Sequence, residues 1–293
     1  MKTLNTAAVI ILAGAGCTAQ AQTYAQQFQA VKPELDKLMA SMQYEEVIKK
    51  IQALIPAEIP AFASDPANPQ VALNSYTETA TIQDFYDILY RARLMSGDTE
   101  GAIATIKKAE EIAKQNAVDT EAALSPVIET WSNAIQESIK NLEEAAPVRE
   151  QLEARKNKLE AKKSKNKKDR TELEEIQEDM AGLQNSIAVW ENNLKMAPDV
   201  ISHLNRYIDG SKRDAGKFAQ DIKDMETDLD LERAEIEKLG NDKAKYVDAV
   251  LNTKDNFANR AQKDVVRILN RLLFLAPNNS GVQKQLDTAL KAE

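Results

Sequence analysis

Cysteine, glycine, proline and aromatic residues are all scarce in this chain of 293 residues, which has 1 Cys, 9 Gly, 9 Pro and 5% aromatic residues. A single thiol excludes an intramolecular disulfide and any metal site built on paired cysteines. The few aromatic residues, and the lack of a convincing run of alternating apolar and polar residues, argue against a sheet protein. Charged residues make up 29% of the chain, which favours long solvated helices, so we predict an all-α fold.

Residues 1–21 have the three parts of a secretory signal peptide. Lys2 provides positive charge, an apolar segment over 7–16 follows, and Ala19-Gln20-Ala21 gives the small–x–small cleavage pattern. Ten apolar residues are too few to span a bilayer, which takes about 20. We therefore expect an exported protein in the periplasm or outside the cell, with no transmembrane segment.

Cys17 leaves a second interpretation open. An apolar stretch that runs into Gly-Cys resembles the signal of a bacterial lipoprotein, in which the cysteine carries the lipid. That family usually has Leu three residues before the cysteine, where this chain has Gly14. We favour cleavage after Ala21 and keep lipidation of Cys17, with a peripheral anchor in the envelope, as the alternative.

The sequence offers little of the chemistry that catalysis requires. His203 is the single histidine, so zinc sites with paired histidines are excluded, and no GxSxG, Gly-rich phosphate loop or EF-hand pattern occurs. Paired carboxylates such as Glu143-Glu144 lie in charged helical sequence, where they are typical of solvated faces. We therefore predict that the protein is not an enzyme and has no catalytic residue, metal site or cofactor.

Residues 22–120 are predicted to form a helical base. Its first part ends in YEEVIKKIQALIP, where Val47, Ile51 and Leu54 fall on one helical face. A proline-rich loop follows over residues 57–80. A loop of this length is either a lid or, as we prefer, a tolerated insertion.

A helical hairpin is predicted over residues 82–115. One helix ends near Ser96-Gly97, where glycine suits the left-handed conformation that follows a helix C-terminus. The next helix begins near Asp98 or Thr99, residue types that cap helix N-termini.

Several residues of this hairpin match a known repeat pattern when Gly97 is placed at its turn. They are Tyr86 and Leu89 in the first helix and Ala102, Ile106 and Ala109 in the second. The hairpin therefore resembles a tetratricopeptide repeat, and the positions that depart from the family's pattern are Tyr90, Arg93, Thr99 and Lys114. Partial fragments at 44–56 and 265–279 look similar. A solenoid normally needs at least three repeats, so a generic helical bundle is the alternative.

The tetratricopeptide-like resemblance implies a groove that binds another protein. Carried over position by position, the family's groove residues correspond to Asp84, Asp87 and Arg91 on the first helix of the hairpin. These three residues are our candidate protein-binding groove.

An arm with a coiled coil is predicted over residues 121–257. One heptad frame runs from Leu152 to Phe257 without a change of phase, with apolar residues at most a and d positions. Pro198 interrupts this frame, and proline inside a helix costs about 3 kcal/mol, so we predict an antiparallel hairpin that bends near Pro198. The helices of residues 258–293 would then pack on the base.

Charge supports a bend at Pro198. Residues 155–170 contain nine basic and two acidic residues, and the bend sets them against the acidic stretch 226–241. A bend within 162–170 (KKSKNKKDR) is the main alternative, and a break at residues 209–211 (Asp-Gly-Ser) is another. The basic run lacks interleaved aromatic residues and the whole chain has net charge −8, so we do not expect nucleic acid as a partner.

With the bend at Pro198, three apolar or aromatic residues would cluster near the tip of the arm, namely Trp190, Met196 and Tyr207. Apolar side chains exposed at such a tip mark a partner site. The sequence therefore predicts an exported scaffold for protein–protein interactions at the bacterial envelope or cell surface, binding other proteins or a second copy of itself. The alternative is a periplasmic holdase-type chaperone with coiled-coil arms.

Overall fold

The computed structural model describes residues 23–253, 257 and 260–291, and this part of the chain contains helices and no strand. The predicted all-α fold is therefore confirmed. The helices are α1 (Tyr24–Ala40), α2 (Tyr44–Leu54), α3 (Pro69–Met95), α4 (Thr99–Glu160), α5 (Lys167–Gly216), α6 (Ala219–Lys238), α7 (Lys243–Asn252), α8 (Gln262–Leu275) and α9 (Ser280–Leu290). The predicted signal peptide, with Cys17, lies outside the described residues.

The chain divides into two compact units. The first, which we call the base, runs up to Thr120 and resumes at Gly210, and the second, which we call the arm, comprises Glu121–Asp209. Both boundaries fall within long helices, one in α4 and one in α5. The arm that the sequence predicts over 121–257 therefore ends at residue 209.

The first core of the base joins α1, α2 and α3. Phe28 packs edge-to-face on Phe85 with ring centroids 5.4 Å apart, and Leu35 is buried beside them. Val47 and Ile51 on α2 are fully buried in the same cluster, which confirms the predicted apolar face of that helix.

The proline-rich loop is shorter than the sequence predicts. The Asn68 side chain accepts a hydrogen bond from the Gln70 backbone N–H at 3.3 Å and caps α3, whose first residue is Pro69. Proline loses no hydrogen bond at the first helical position and its fixed φ suits a helix start. The loop predicted over 57–80 therefore ends at residue 68.

A Schellman motif ends α3. The Gly97 N–H bonds to the Leu94 carbonyl at 3.2 Å and the Asp98 N–H to the Arg93 carbonyl at 2.9 Å, with Gly97 at φ 91°. The Asp98 carboxylate then accepts a hydrogen bond from the Gly101 N–H at 2.9 Å and caps α4. The predicted turn between these two helices is confirmed.

Tetratricopeptide-like repeats are nevertheless not shown in the described part of the chain. Helices α3 and α4 are 27 and 62 residues long, whereas the family places a pair of helices in about 34 residues. The small residues Ala102 and Ala109 do permit close helix packing, but the helix that lies against them is α6, far along the chain.

The second core of the base lies between α6 and the α3–α4 hairpin. From the α6 side it contains residues at the predicted heptad positions, namely Phe218, Ile222, Met225 and Leu229. The Phe218 ring meets Tyr90 edge-to-face with centroids 6.3 Å apart. The second part of the heptad frame thus belongs to the base.

A third core holds the C-terminal helices. Its buried residues are Tyr44, Val247, Val266, Leu269, Leu272, Val282 and Leu286. Tyr44 begins α2, so this core joins α7, α8 and α9 to the first helices of the base. Asn279 caps α9 by accepting hydrogen bonds from the backbone N–H groups of the helix's first turn.

Two antiparallel helical segments form the arm. The Arg155 guanidinium on α4 lies 2.9 Å from the Glu172 carboxylate on α5, and farther along the Asn193 amide donates to the Ser138 hydroxyl at 3.3 Å. Residue numbers thus rise on one segment as they fall on the other. The two segments meet through a short turn at residues 161–166.

The bend predicted at Pro198 is wrong. Pro198 lies inside α5, and Pro126 and Pro147 likewise lie inside α4. All three are exposed, so water can hydrogen-bond the carbonyl group that each proline leaves unpaired. The chain instead reverses within the lysine-rich segment that was the alternative.

The predicted pairing of basic 155–170 with acidic 226–241 is also wrong. The acidic stretch pairs within the base, where Glu226 lies 2.5 Å from Lys107. Within the arm, Lys162 lies 2.5 Å from Asp169.

Candidate protein-interaction surfaces

The predicted groove residues lie together on α3. The Asp87 carboxylate lies 3.3 Å from the Arg91 guanidinium and 3.4 Å from the Lys217 ammonium, which precedes α6. The Asp87 side chain is only 14% exposed. Asp87 is therefore held between two cations of the base itself, and its role toward a partner protein stays a prediction.

Asp84 lies one turn earlier on α3 and is half-buried. Burial raises the pKa of its carboxyl above the usual range, Lys217 opposes this, and the carboxylates of Asp87 and Asp214 add to it. A partner that supplied a cation at this face would reverse the effect of burial. The cluster thus provides a recognisable charge pattern on α3.

The best-connected polar group of the base is Arg271 on α8, a residue that sequence reasoning missed. Its guanidinium makes a two-pronged contact with Glu232 on α6, with Nη2 2.6 Å from Oε1 and Nε 3.0 Å from Oε2. It makes a second two-pronged contact with Glu100 on α4, at 2.7 and 3.0 Å, and donates to the Gly97 carbonyl at 3.0 Å. The side chain is 11% exposed and faces the ring of Phe274.

Ion pairs hold together Arg271, Glu232 and Glu100, which we call the Arg271 cluster. Burial by itself would lower the pKa of Arg271, but the hydrogen bonds to Glu232 and Glu100 raise it above its ordinary value. In return, the hydrogen bond from Arg271 lowers the pKa of Glu100 below its ordinary value of 4.5. One cation thus joins α4, α6 and α8. The sequence signal was a lone arginine on the apolar face of α8, between Leu269 and Leu272.

Several recesses open on the base. One of about 200 Å³ lies beside the Arg271 cluster and is lined by Tyr246 and Arg267 among others. A wider one of about 680 Å³ is rich in methionine, with Met39, Met42 and Met95 in its wall. Methionine side chains adapt to irregular apolar surfaces.

The arm has one core cluster near its turn. Leu152, Leu159 and Ile176 are buried there, and Leu173 and Met180 are partly buried against them. Large apolar side chains on other parts of the arm are exposed, namely Ile139 at 42%, Val148 at 46% and Met196 at 48%. A helix whose apolar stripe is wider than the single helix it packs on leaves part of that stripe in water.

The three residues predicted for the arm tip do not lie at the tip. Trp190 and Met196 lie within α5, with Trp190 roughly 35 Å along the helix from the turn at about 1.5 Å per residue. Tyr207 lies farther still and packs edge-to-face on His203, with ring centroids 5.2 Å apart. The reason is that the chain reverses near residue 164 and passes straight through Pro198.

The actual tip is the turn 161–166 with the helix ends on either side of it. Asn166 and Asp169 cap α5 reciprocally, each side chain accepting a hydrogen bond from the other's backbone N–H, at 2.8 and 3.1 Å. The hydrogen bond from Lys162, the backbone N–H of Asn166 and the nearby lysines hold the pKa of Asp169 below its usual range.

Within the described residues, no group of three His, Cys, Asp or Glu side chains is placed to hold a metal ion. Over the same residues, no helix combines the length and the apolar character that crossing a membrane requires. No family model matches the chain, and no curated protein or solved structure matches it either.

Proposed function

We propose that this protein is an exported scaffold whose arm binds other proteins. The proposal depends on one observation above all. The arm is a two-helix unit that leaves large apolar side chains exposed along its length, among them Ile139, Val148 and Met196. Exposed apolar side chains on a helical pair are the usual anchors for a further helix, because each can enter a pocket and lose its contact with water.

Polar side chains inside the arm also favour a binding element over a simple spacer. Ser138 is 1% exposed and bonds to Asn193, so a polar contact lies where an apolar one would stabilise the pair more. Buried polar pairs of this kind fix the register of helical pairs at a cost in stability. A fixed register keeps the exposed apolar residues in a defined pattern, which a partner can recognise.

Export is part of the proposal and rests on the signal-like residues 1–21. The base contributes the charged face of Asp84, Asp87 and Arg91 as a second, weaker candidate surface. Its carboxylates already have cations beside them, so a partner must compete with Lys217 and Arg91 there. We therefore assign the main partner to the arm.

Site-specific photocrosslinking in intact cells tests the proposal. A photoreactive phenylalanine analogue replaces Val148 or Met196 on the arm, and the control carries it at Lys284, an exposed residue of the base without an ion pair among the described residues. We expect one or two adducts of discrete mass from the arm positions and none from Lys284. A smear of many masses would indicate a chaperone with many clients, and no adduct at either arm position would contradict the scaffold.

A further inference from the structure

The end of the arm carries two blocks of opposite charge. Residues 155–170, which we call the basic tip, have nine basic and two acidic residues, a net charge of 9 − 2 = +7. Residues 143–153 on α4 and 172–179 on α5, which we call the acidic collar, have one basic and nine acidic residues, a net charge of 1 − 9 = −8. Because Arg155 lies opposite Glu172, both parts of the collar lie just below the tip.

Contacts within the arm neutralise little of this charge. Arg155 and Lys162 form ion pairs, with Glu172 and Asp169. The other basic residues of the tip make no ion pair with any residue that the structure describes, and they are Lys156, Lys158, Lys163, Lys165, Lys167, Lys168 and Arg170. The same holds for most of the collar, namely Glu143, Glu150, Glu174, Glu175, Glu178 and Asp179.

The helix dipole adds to the electrostatic repulsion among the positive charges of the tip. Lys167, Lys168 and Arg170 lie in the first turn of α5, where the unpaired backbone N–H groups already place positive charge. Only Asp169 compensates within that turn. Carboxylates brought to the tip from outside would relieve this repulsion, whereas the collar needs cations.

A second copy of the chain supplies carboxylates to the tip and cations to the collar at the same time. We propose that the arms of two copies pair antiparallel at their ends, with the basic tip of each lying against the acidic collar of the other. This arrangement has two-fold symmetry, so each copy gives and receives the same contact. The inference rests on the proposed function of the arm and names its partner.

The spacing of the two blocks fits this arrangement. Their centres lie roughly 12 Å apart along the arm at about 1.5 Å per residue, so the two arms overlap by roughly 25 Å when tip meets collar. The two-fold axis then falls near Leu152 and Leu173. The exposed Val148 and the partly buried Met180 lie roughly 6 and 10 Å from this axis, toward the end of the overlap, and add apolar contact beside the charged blocks.

An anionic lipid surface is the competing partner for a lysine-rich tip. It would attract the tip but supply no cations to the collar, whose centre lies roughly 12 Å behind that of the tip, beyond the Debye length of about 8 Å at physiological salt. The turn 161–166 also has no large apolar side chain to insert into a membrane. Pairing between copies brings opposite charge to both the tip and the collar, whereas a lipid surface brings it to the tip alone.

A charge-swap experiment on the full purified chain tests the pairing. The tip variant carries Lys163→Glu, Lys167→Glu and Lys168→Glu, and the collar variant carries Glu174→Lys, Glu175→Lys and Glu178→Lys. Sedimentation velocity over a hundredfold range of concentration measures association. We expect the unmodified chain to dimerise, less tightly at high salt, and each variant alone to dimerise at least about tenfold more weakly, because several exposed ion pairs become repulsive.

An equimolar mixture of the tip and collar variants gives the decisive result. The tip variant has a nearly neutral tip, 7 − 6 = +1, and keeps its acidic collar, whereas the collar variant has a nearly neutral collar, −8 + 6 = −2, and keeps its basic tip. The mixture can therefore form one tip–collar contact with the original charges, which neither variant can form alone, and it should dimerise more tightly than either variant does with itself. The control reverses three exposed lysines of the base, with Lys49→Glu, Lys223→Glu and Lys284→Glu, and should dimerise like the unmodified chain. A mixture that stays monomeric would overturn the inference.

Two further outcomes keep the inference separate from the scaffold proposal. If the unmodified chain stays monomeric but binds vesicles of anionic phospholipid, and the tip variant does not, a lipid surface replaces the second copy. If the purified chain stays monomeric while Val148 crosslinks to a protein of another mass in cells, the self-pairing is wrong and the scaffold stands. An adduct of twice the chain's own mass supports both.

Discussion

Replacing Arg271 with methionine is expected to destabilise the base by about 3 kcal/mol. Methionine keeps much of the apolar contact with Phe274 but leaves the carboxylate of Glu232, which is 14% exposed, without a cation. Removing one partner of a buried ion pair costs about 3–5 kcal/mol. We take the lower end because the Glu100 side chain is 44% exposed and water can replace part of its contact.

Urea unfolding followed by far-ultraviolet circular dichroism measures the free energy of this change, and hydrogen exchange of the α8 amides locates it. The matched control is Arg267→Met, one turn earlier on the same helix, which makes no ion pair with a described residue. Its expected cost is below about 0.5 kcal/mol, as for substitutions away from buried networks. The two variants remove the same charge, so the difference between them reports the ion pairs.

A double variant separates the orphaned charge from the lost packing. Arg271→Met combined with Glu232→Met removes both charges, and apolar pairs often replace buried ion pairs at little cost. We expect the double variant to be more stable than Arg271→Met alone. The reasoning is refuted if Arg271→Met costs less than about 1 kcal/mol, or if the second substitution recovers nothing.

Three more changes test the base and the arm. Gly97→Ala should lower the stability of the base by about 2 kcal/mol or more, because Gly97 has φ 91° and a Cβ would lie 2.7 Å from the Arg271 backbone N. Gly182→Ala, at a helical position with open space around it, should instead stabilise the arm by about 0.5–1 kcal/mol. Hydrogen exchange of the α4 and α5 amides measures both changes. The lowered pKa of Glu100 stabilises the base above about pH 4.5, and this stabilisation is lost as the pH falls. Glu100→Gln should therefore make the free energy of unfolding depend less on pH below about pH 4.5, which urea titrations at several pH values measure. Burial raises the pKa of Tyr90 to about 12, so the unmodified protein should lose stability between about pH 10 and 12 as the phenol ionises. Tyr90→Phe should remove this loss, and alkaline unfolding of the unmodified protein and the variant measures the difference.

Local signals predicted local structure well. The turn at Gly97 was predictable because a left-handed residue, a cap and an amphipathic helix on each side all agree. The buried face of α2 followed from periodicity in the same way. The heptad pattern also identified which residues of α6 are buried, such as Ile222 and Leu229.

The same pattern could not say which helix covers that face. A stripe of apolar residues fixes the side of a helix that is buried but leaves its partner open, so α6 was assigned to the arm although it packs on α3 and α4 of the base. The position of the bend was ambiguous for a related reason. Pro198 weakens a helix by a few kcal/mol, which exposure to water can offset, whereas the Asn166 and Asp169 caps actively start one.

The candidate surfaces were harder still to predict. The grouping of Asp84, Asp87 and Arg91 followed from helical spacing, but their pairing with Lys217 required a contact between distant segments. Arg271 carried a signal in its apolar surroundings on α8, yet its two carboxylate partners lie on other helices. Charge blocks such as the basic tip and acidic collar are visible in the sequence, and their proximity became clear only when the turn was placed at 161–166.

Trp131 and Trp190, the two tryptophans of the chain, both belong to the arm, whereas every described tyrosine except Tyr207 belongs to the base. Tryptophan emission therefore reports on one unit of the protein without any label. A denaturation followed at the same time by tryptophan emission and by the dichroism of the whole chain would show whether the two units melt together or in sequence. The fold thus contains its own optical probe for measuring how strongly base and arm are coupled.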